Sequence, residues 1–202
     1  MGRSRQTRSF PRLFIGSVAA ILLAVPLAGS ASASKAGELA TVAATTRWVD
    51  SWGSPVHSSA AFKPLPTLDN QTVRNVVHLH TGGDRVSIHL SNAFGDRPVT
   101  LGRVRVGIRG EGARVVAGSN RSVTFGRKTS ITLPAGAQIQ SDPAALTVSP
   151  GQDLAVSVYL PKPTGPATWH RFARQDNYVS TPGDHTSKTG AAAYHGCCKV
   201  RL

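Results

Sequence analysis

The chain has 202 residues, 40% of them hydrophobic, and a formal net charge of +13. This length suits one domain with a substantial core, and the two cysteines, adjacent at Cys197 and Cys198, exclude a fold stapled by disulfides between distant segments. The charge favours anionic polymers such as phosphorylated cell-wall material, or it is a solvated basic surface. Because the arginines are dispersed and no nucleic-acid motif accompanies them, no nucleic-acid partner is predicted.

The N-terminal segment is typical of a secretory leader. Residues 1–12 carry four arginines and no acid, residues 13–27 are almost wholly apolar, and residues 31–33 are small. The apolar run is shorter than the roughly 20 residues of a membrane helix, and no Arg-Arg pair supports the twin-arginine route. We therefore predict a cleaved Sec-type signal peptide at 1–33, with an uncleaved anchor as the alternative. The mature protein is predicted to be secreted and extracellular, with no membrane span, a charge of +9 and a flexible N terminus at 34–46.

Next in the chain comes an Asp-Ser pair that ends at Ser51 and resembles part of a nucleophile block. Many secreted ester hydrolases carry the attacking serine in Gly-Asp-Ser, at a turn from a strand into a helix. Here Val49 occupies the Gly position, Pro55 removes a backbone donor, and no helical pattern follows. The stretch instead predicts a strand that carries Trp48 and Trp52. We predict no catalytic residue here, and no Gly-x-Ser-x-Gly elbow occurs elsewhere.

From residue 71 onward, apolar and polar residues alternate in short runs separated by Gly- and Pro-rich turns, and no helical period dominates. Residues 81–84 have the composition of a hairpin turn between the first two runs. Strands at such spacing predict an all-β fold, an antiparallel β-sandwich of jelly-roll type over 47–186. The predicted strands are 71–80, 85–91, 101–108, 114–117, 122–125, 130–133, 138–140, 146–148, 154–160 and 168–172.

Metal and cofactor sites are not predicted. His78 and His80 share one face of a strand, with His89 on a neighbouring strand, and three histidines on one sheet face can bind a metal. No carboxylate is clearly placed to orient them, so we interpret them as half-exposed strand residues. Cys197 and Cys198 alone do not supply the four ligands of a zinc site.

Aromatic side chains are the remaining candidates for ligand binding. An indole face matches the apolar face of a sugar ring, so Trp52, Trp169, Phe172 and Tyr178 are candidates for a polysaccharide or cell-wall ligand, together with His170. Tryptophans in a small sandwich also serve as core or edge packing. Both interpretations stay open at this point.

An ordered series of segments resembles the N-terminal region of secreted actinobacterial SGNH/GDSL-type hydrolases, which are esterases and lipases. The resemblance extends from residue 48 to residue 186, nearly the whole predicted mature chain. The segments that carry it are 71–78, 82–86, 90–98, 122–126, 131–137, 141–143, 153–161, 165–170, 177–180 and 182–186.

The resemblance implies a β-rich region that precedes a catalytic α/β/α domain. The family's Gly-Asp-Ser block, its Gly and Asn oxyanion contributors and its Asp-x-x-His block have no matching positions in this sequence, so no catalytic residue can be assigned. The chain is therefore expected to be inactive alone, with an autonomous carbohydrate- or cell-wall-binding module as the alternative. Residues 187–202 depart from the family pattern. They are predicted to be an irregular tail from a frameshifted or prematurely ended gene, or the genuine ending of a short protein.

Overall fold

The computed structural model describes residues 46–58, 67–170 and 174–198. Within these residues all regular secondary structure is β-strand, and all strand pairs are antiparallel. This confirms the all-β, antiparallel prediction. The same residues contain no helix long and apolar enough to cross a membrane. The predicted signal peptide at 1–33, and all but the last residue of the segment predicted to be flexible, lie outside the described residues.

A six-stranded antiparallel sheet forms the larger part of the domain. Its two central strands pair over their full length, from Gln71 opposite Leu160 to His78 opposite Asp153. In order across the sheet, the strands are β12 (Tyr194–Cys198), β11 (Asn177–Pro182), β1 (Gln71–His78), β10 (Asp153–Leu160), β5 (Arg103–Ile108) and β6 (Arg121–Val123).

Three two-stranded ladders accompany this sheet. The first two follow one another along the same pair of chain segments, so together they extend from Gly83 opposite Val148 to Ser91 opposite Gln138. The ladders pair β2 (Gly83–Val86) with β9 (Ala144–Val148), β3 (His89–Ser91) with β8 (Gln138–Gln140), and β4 (Val99–Leu101) with β7 (Ile131–Leu133).

The hydrophobic core joins one face of the six-stranded sheet to the ladders. Alternation along β1 places Val73 and Val77 on this face, opposite Val158 and Leu154 of β10. Leu146 of β9 is also buried in this core, and Val86, Ile88 and Leu90 pack against it with partial exposure. Burial of branched aliphatic side chains from both layers therefore stabilises the pairing of the two layers.

A glycine marks the place where the chain passes from a ladder into the six-stranded sheet. The sequence predicted one strand over 101–108, but Gly102 separates β4 from β5. The Gly102 N–H donates to the Tyr159 carbonyl at 2.8 Å, and a Cβ at this position would lie 2.7 Å from Cδ1 of the Tyr159 ring. A larger residue would therefore displace the ring or the backbone.

Several finer predictions differ from the structure. Residues 81–84 are not the turn of a hairpin, because β1 pairs with β10 and β11 whereas β2 pairs with β9. Residues 48–52 are not a strand; this stretch has no regular element. Residues 114–117 contribute only a single bridge, from Val115 to Arg109, and Trp169 likewise forms one bridge with His57.

The predicted irregular tail at 187–202 contains a strand, β12, which pairs with β11. The Tyr194 hydroxyl at the start of β12 donates to the His185 carbonyl at 2.8 Å and accepts from the Arg74 guanidinium at 2.9 Å. These contacts make the tail up to β12 an integral part of the domain.

Candidate functional site

A cavity of about 770 Å³ lies against the core face of the six-stranded sheet. Both buried and exposed residues line it: Val73 is 2% exposed, whereas Val49 is 50% exposed. The cavity therefore reaches from the core to the surface of the domain. Its lining includes side chains of β1 and β10, namely Val73, Asn75, Val77, Leu154, Val156, Val158 and Leu160, and Val86, Ile88 and Leu90 from the region of β2 and β3.

The N-terminal strap, residues 46–58, forms part of the cavity wall. Its backbone pairs with Trp169 through His57, whose N–H donates to the Trp169 carbonyl at 2.7 Å and whose carbonyl accepts at 3.2 Å. Nearby, the His170 Nδ1 lies 2.8 Å from the Pro55 carbonyl oxygen, and the His57 and His170 rings stack with centroids 5.7 Å apart. The strap is therefore attached to residues 169 and 170 by several contacts at its C-terminal end.

Ser51 attaches the middle of the strap to the turn that follows β1. Its hydroxyl donates to the Thr81 carbonyl at 2.8 Å and accepts from the Thr81 N–H at 3.0 Å. Its own carbonyl accepts from the His80 N–H at 3.0 Å. A nucleophilic serine needs a base such as imidazole to take its proton, whereas this proton points to a peptide carbonyl. Ser51 in this arrangement is a structural hydroxyl.

The structure places three of the candidate ligand residues at the cavity. Trp52, Trp169 and His170 all line it. Trp169 is only 6% exposed, and its indole N–H donates to the Ser58 carbonyl at 3.2 Å. Phe172 lies outside the described residues.

Tyr178, another candidate ligand residue, lies apart from the cavity. It pairs directly with Arg74 of β1, so its side chain is on the opposite face of the six-stranded sheet. There its hydroxyl is 3.4 Å from the Arg109 guanidinium. Tyr178 therefore belongs to a different surface from the other three.

A second polar cluster surrounds Asp153, on the same face as Tyr178. Its carboxylate accepts from the His78 Nδ1–H and from the Arg109 guanidinium, both at 2.9 Å. Partial burial raises the pKa of the Asp153 carboxyl, but these hydrogen bonds outweigh it and the pKa lies below its usual value. Burial lowers the pKa of Arg109, while Asp153 and Tyr178 raise it above its usual value. The cluster combines the Arg109–Asp153 ion pair with the His78 hydrogen bond and secures the end of β1 to β10.

The histidines considered as metal ligands are separated by the fold. His78 and His80 have ring centroids 5.8 Å apart, whereas His89 lies in β3, in a different ladder. In the described part of the chain, no group of three or more His, Cys, Asp or Glu side chains is arranged to hold a metal ion.

Two cavity residues were missed by sequence reasoning. Asn75 occupies the core-facing position between Val73 and Val77, and is 7% exposed. A single polar residue in an inward-facing apolar series could have been recognised in the sequence as a candidate cavity residue. Ser54, in the strap, lines the cavity with a buried hydroxyl that finds no hydrogen-bond partner among the residues that the structure describes. The position of Ser54 at the cavity could not be predicted from the sequence, because it depends on how the strap folds back over the sheet.

Comparison with known proteins gives no relative: no protein-family profile matches the chain, and no curated protein matches it.

Proposed function

We propose that this protein is the non-catalytic N-terminal β-sandwich portion of a secreted SGNH/GDSL-type ester hydrolase, with jelly-roll topology. The segment resemblance over 48–186 supports the family. The arrangement of a six-stranded sheet whose core face is covered by the ladders supports the sandwich. Outside the cell, this domain would pack beside an active site, shape substrate access or anchor the enzyme to a cell-wall polymer.

The observation that carries the non-catalytic part of the proposal is the bonding of Ser51. In the family's Gly-Asp-Ser block the serine is activated by a base and faces backbone donors that hold an oxyanion. The Asp50-Ser51 pair is the nearest match in this chain, and both hydrogen-bonding directions of the Ser51 hydroxyl are used by Thr81. Its role is to position the strap.

An ester-hydrolysis assay on the purified full chain tests the non-catalytic role. We expect no turnover of p-nitrophenyl acetate or p-nitrophenyl octanoate above the buffer rate. Ser51→Ala is the informative variant, with Ser58→Ala as its matched control, because Ser58 lies in the same strap but does not line the cavity. Turnover that is abolished by Ser51→Ala and retained by Ser58→Ala would refute the proposal.

The family assignment has an independent test in the gene. Reading the DNA beyond the codon for Leu202 in all three frames should show a Gly-Asp-Ser block followed by an Asp-x-x-His block. Unrelated downstream sequence in every frame would count against the relation to an SGNH/GDSL-type enzyme.

The second candidate is an autonomous polysaccharide- or cell-wall-binding module. It is favoured by the convergence of Trp52, Trp169 and His170 on one cavity. A pull-down on insoluble plant and bacterial cell-wall glycans distinguishes it, with Trp52→Ala compared with Phe94→Ala, because Phe94 is an exposed aromatic residue (47%) that does not line the cavity. Saturable binding lost only in Trp52→Ala supports the module, and no binding by the folded chain excludes it.

A further inference from the structure

We propose that the cavity binds a linear aliphatic chain, namely the acyl tail of a medium-chain fatty acid or ester. The tail would enter between the strap and β2 and lie along β1 and β10. This inference concerns ligand chemistry and does not require the relation to ester hydrolases.

The chemistry of the cavity floor favours hydrocarbon over sugar. Along β10 the floor presents Leu154, Val156 and Val158, and along β1 it presents Val73 and Val77 with the amide of Asn75 between them. The aliphatic side chains offer no hydrogen bonds, so a sugar placed against them would bury most of its hydroxyl groups without partners, which is costly. Methylene groups have no hydrogen bonds to lose there, and their removal from water is favourable.

The indole groups next to the core do not offset this disadvantage for sugar. A sugar platform needs an open aromatic face, and Trp169 is 6% exposed with its N–H donated to the Ser58 carbonyl, while Trp52 is partly buried and packs against the core. Trp48 also lines the cavity and is 48% exposed, but a single open indole does not supply the hydrogen bonds that a sugar would lose on the floor. The volume of about 770 Å³ lies within the range of about 300–1,000 Å³ that small-molecule sites occupy.

Polar groups in the strap and at the exposed part of the cavity suit the oxygen-bearing end of an acyl ligand. The Ser54 hydroxyl lines the cavity, is buried and has no hydrogen-bond partner among the described residues; an ester or carboxyl oxygen would satisfy it. Arg47 and Arg85 are exposed lining residues. Neither arginine takes part in the ion pairs found among the described residues. The lining therefore offers an acyl head both a hydroxyl donor and positive charge, alongside the carboxylates of Asp50 and Asp84.

Calorimetric titration of the full chain with octanoate, decanoate and dodecanoate, each below its micelle concentration, tests the proposal. We expect one saturable site whose Kd falls by up to about fourfold per added methylene until the tail fills the cavity. Cellohexaose serves as the sugar arm and should neither bind nor displace dodecanoate. Absence of saturable dodecanoate binding by folded protein would overturn the proposal, as would displacement by cellohexaose.

A matched pair of variants locates the site. Ile88→Trp fills the cavity from one wall, whereas Ile139→Trp adds the same bulk at another partly buried isoleucine that packs on the core but does not line the cavity. With both variants shown to be folded by circular dichroism, Ile88→Trp should weaken dodecanoate binding at least tenfold and Ile139→Trp less than threefold. Equal effects, or full binding by Ile88→Trp, would show that dodecanoate binds elsewhere, such as to the apolar residues 13–27, and would refute the site.

Ser54→Ala tests the polar contact separately. We expect it to weaken dodecanoate binding about threefold to tenfold, as loss of one hydrogen bond does, and to leave the dependence of Kd on chain length unchanged. A Kd within a factor of 1.5 or so of the unmodified protein would remove Ser54 from the site.

Discussion

The two faces of the six-stranded sheet are buried in contrasting ways. On one face, Val73 and Val77 of β1 meet an aliphatic core that leaves a cavity of about 770 Å³. On the other, Arg74 is 0% exposed and donates to Ser157 Oγ, the Ala113 and Lys188 carbonyls and the Tyr194 hydroxyl. The polar face is stabilised by hydrogen bonds, which require their partner atoms at fixed positions. The aliphatic face is stabilised by non-directional packing and can therefore border an unfilled cavity. A single strand can therefore provide both a rigid support and a place for a ligand.

Arg74 is the centre of the polar face. Its guanidinium carbon lies 4.0 Å from the centroid of the Tyr194 ring, so the cation also gains from the ring's electrons. Burial lowers the pKa of Arg74, and the negative potential of Tyr194 opposes this effect. Its hydrogen-bond partners are neutral oxygens on β10, on β12 and in the two loops that cover the sheet. Among the described residues, the positive charge is thus stabilised without a salt bridge to a carboxylate.

Removing this guanidinium is expected to have the largest effect. Arg74→Met leaves buried acceptors without donors, and each orphaned group costs about 1–3 kcal/mol. We expect the free energy of unfolding to fall by at least about 3 kcal/mol, measured by urea denaturation. Arg105→Met is the control, because Arg105 shares this face but is partly exposed. A loss below about 1 kcal/mol for Arg74→Met would show that the two faces do not differ in this way.

High pH should weaken the polar face selectively. Burial raises the pKa of the Tyr194 hydroxyl from 10.0 to about 12. The folded state thus holds this proton more tightly than the unfolded chain. The stabilisation is fully present below about pH 10 and is lost as the pH rises to about 12, at up to about 3 kcal/mol.

Urea unfolding between pH 8 and pH 12 measures this loss. Tyr194→Phe should be less stable at pH 8 but should show a flatter decline above pH 10. Tyr159→Phe, whose hydroxyl donates to Asn70 at an exposed site, should keep the decline of the unmodified protein. An equally steep decline in Tyr194→Phe would mean that another group controls alkaline unfolding.

Adjacent valines of β1 offer a direct comparison of the two faces. Val76 is 0% exposed on the polar face, whereas Val77 is 8% exposed and lines the cavity. Val76→Ala creates a new void in packed surroundings and should cost about 2 kcal/mol, whereas Val77→Ala enlarges an existing space and should cost about 1 kcal/mol. Thermal unfolding of both variants checks the order, and the reverse order would indicate that the cavity side is the more tightly packed.

The smallest effect is expected at Ser54, on the cavity side. Its buried hydroxyl has no hydrogen-bond partner within the described part of the chain, so Ser54→Ala should stabilise the ligand-free protein by up to about 1 kcal/mol. Ser51→Ala, which breaks two hydrogen bonds to Thr81, should destabilise it by a similar amount. Destabilisation by Ser54→Ala would show that its hydroxyl makes a favourable contact in solution.

Strands with clear alternation could be predicted from the sequence, but their partners could not. β1 and β10 follow from the alternating valines and leucines, since side chains of a strand point to opposite faces in turn. The residues at 81–84 have turn composition, but composition does not determine which strands pair, and here the turn leads from one sheet into another. The strap has Trp48 and Trp52 at the even spacing of one strand face, yet at Ser51 it contacts Thr81 and His80 through isolated hydrogen bonds.

The functional surfaces could be predicted only in part. Trp52, Trp169 and His170 were predicted as candidate ligand residues by type, and all three line one cavity. The cavity itself depends on segments distant in sequence, so its volume has no local signal. Arg74 occupies a polar position that alternation would assign to solvent. Its burial depends on loops that contribute Ala113 and Lys188, and on Tyr194 in a tail that was expected to be irregular.

The outer edge of the six-stranded sheet at β6 bears on self-association. β6 has only three residues, and its Arg121 side chain reaches across to donate to the Ala145 carbonyl at 3.0 Å. A short edge strand that carries a cation is a poor template for pairing with strands of other molecules. We therefore expect that fibril growth in concentrated solutions of the protein does not start from this edge.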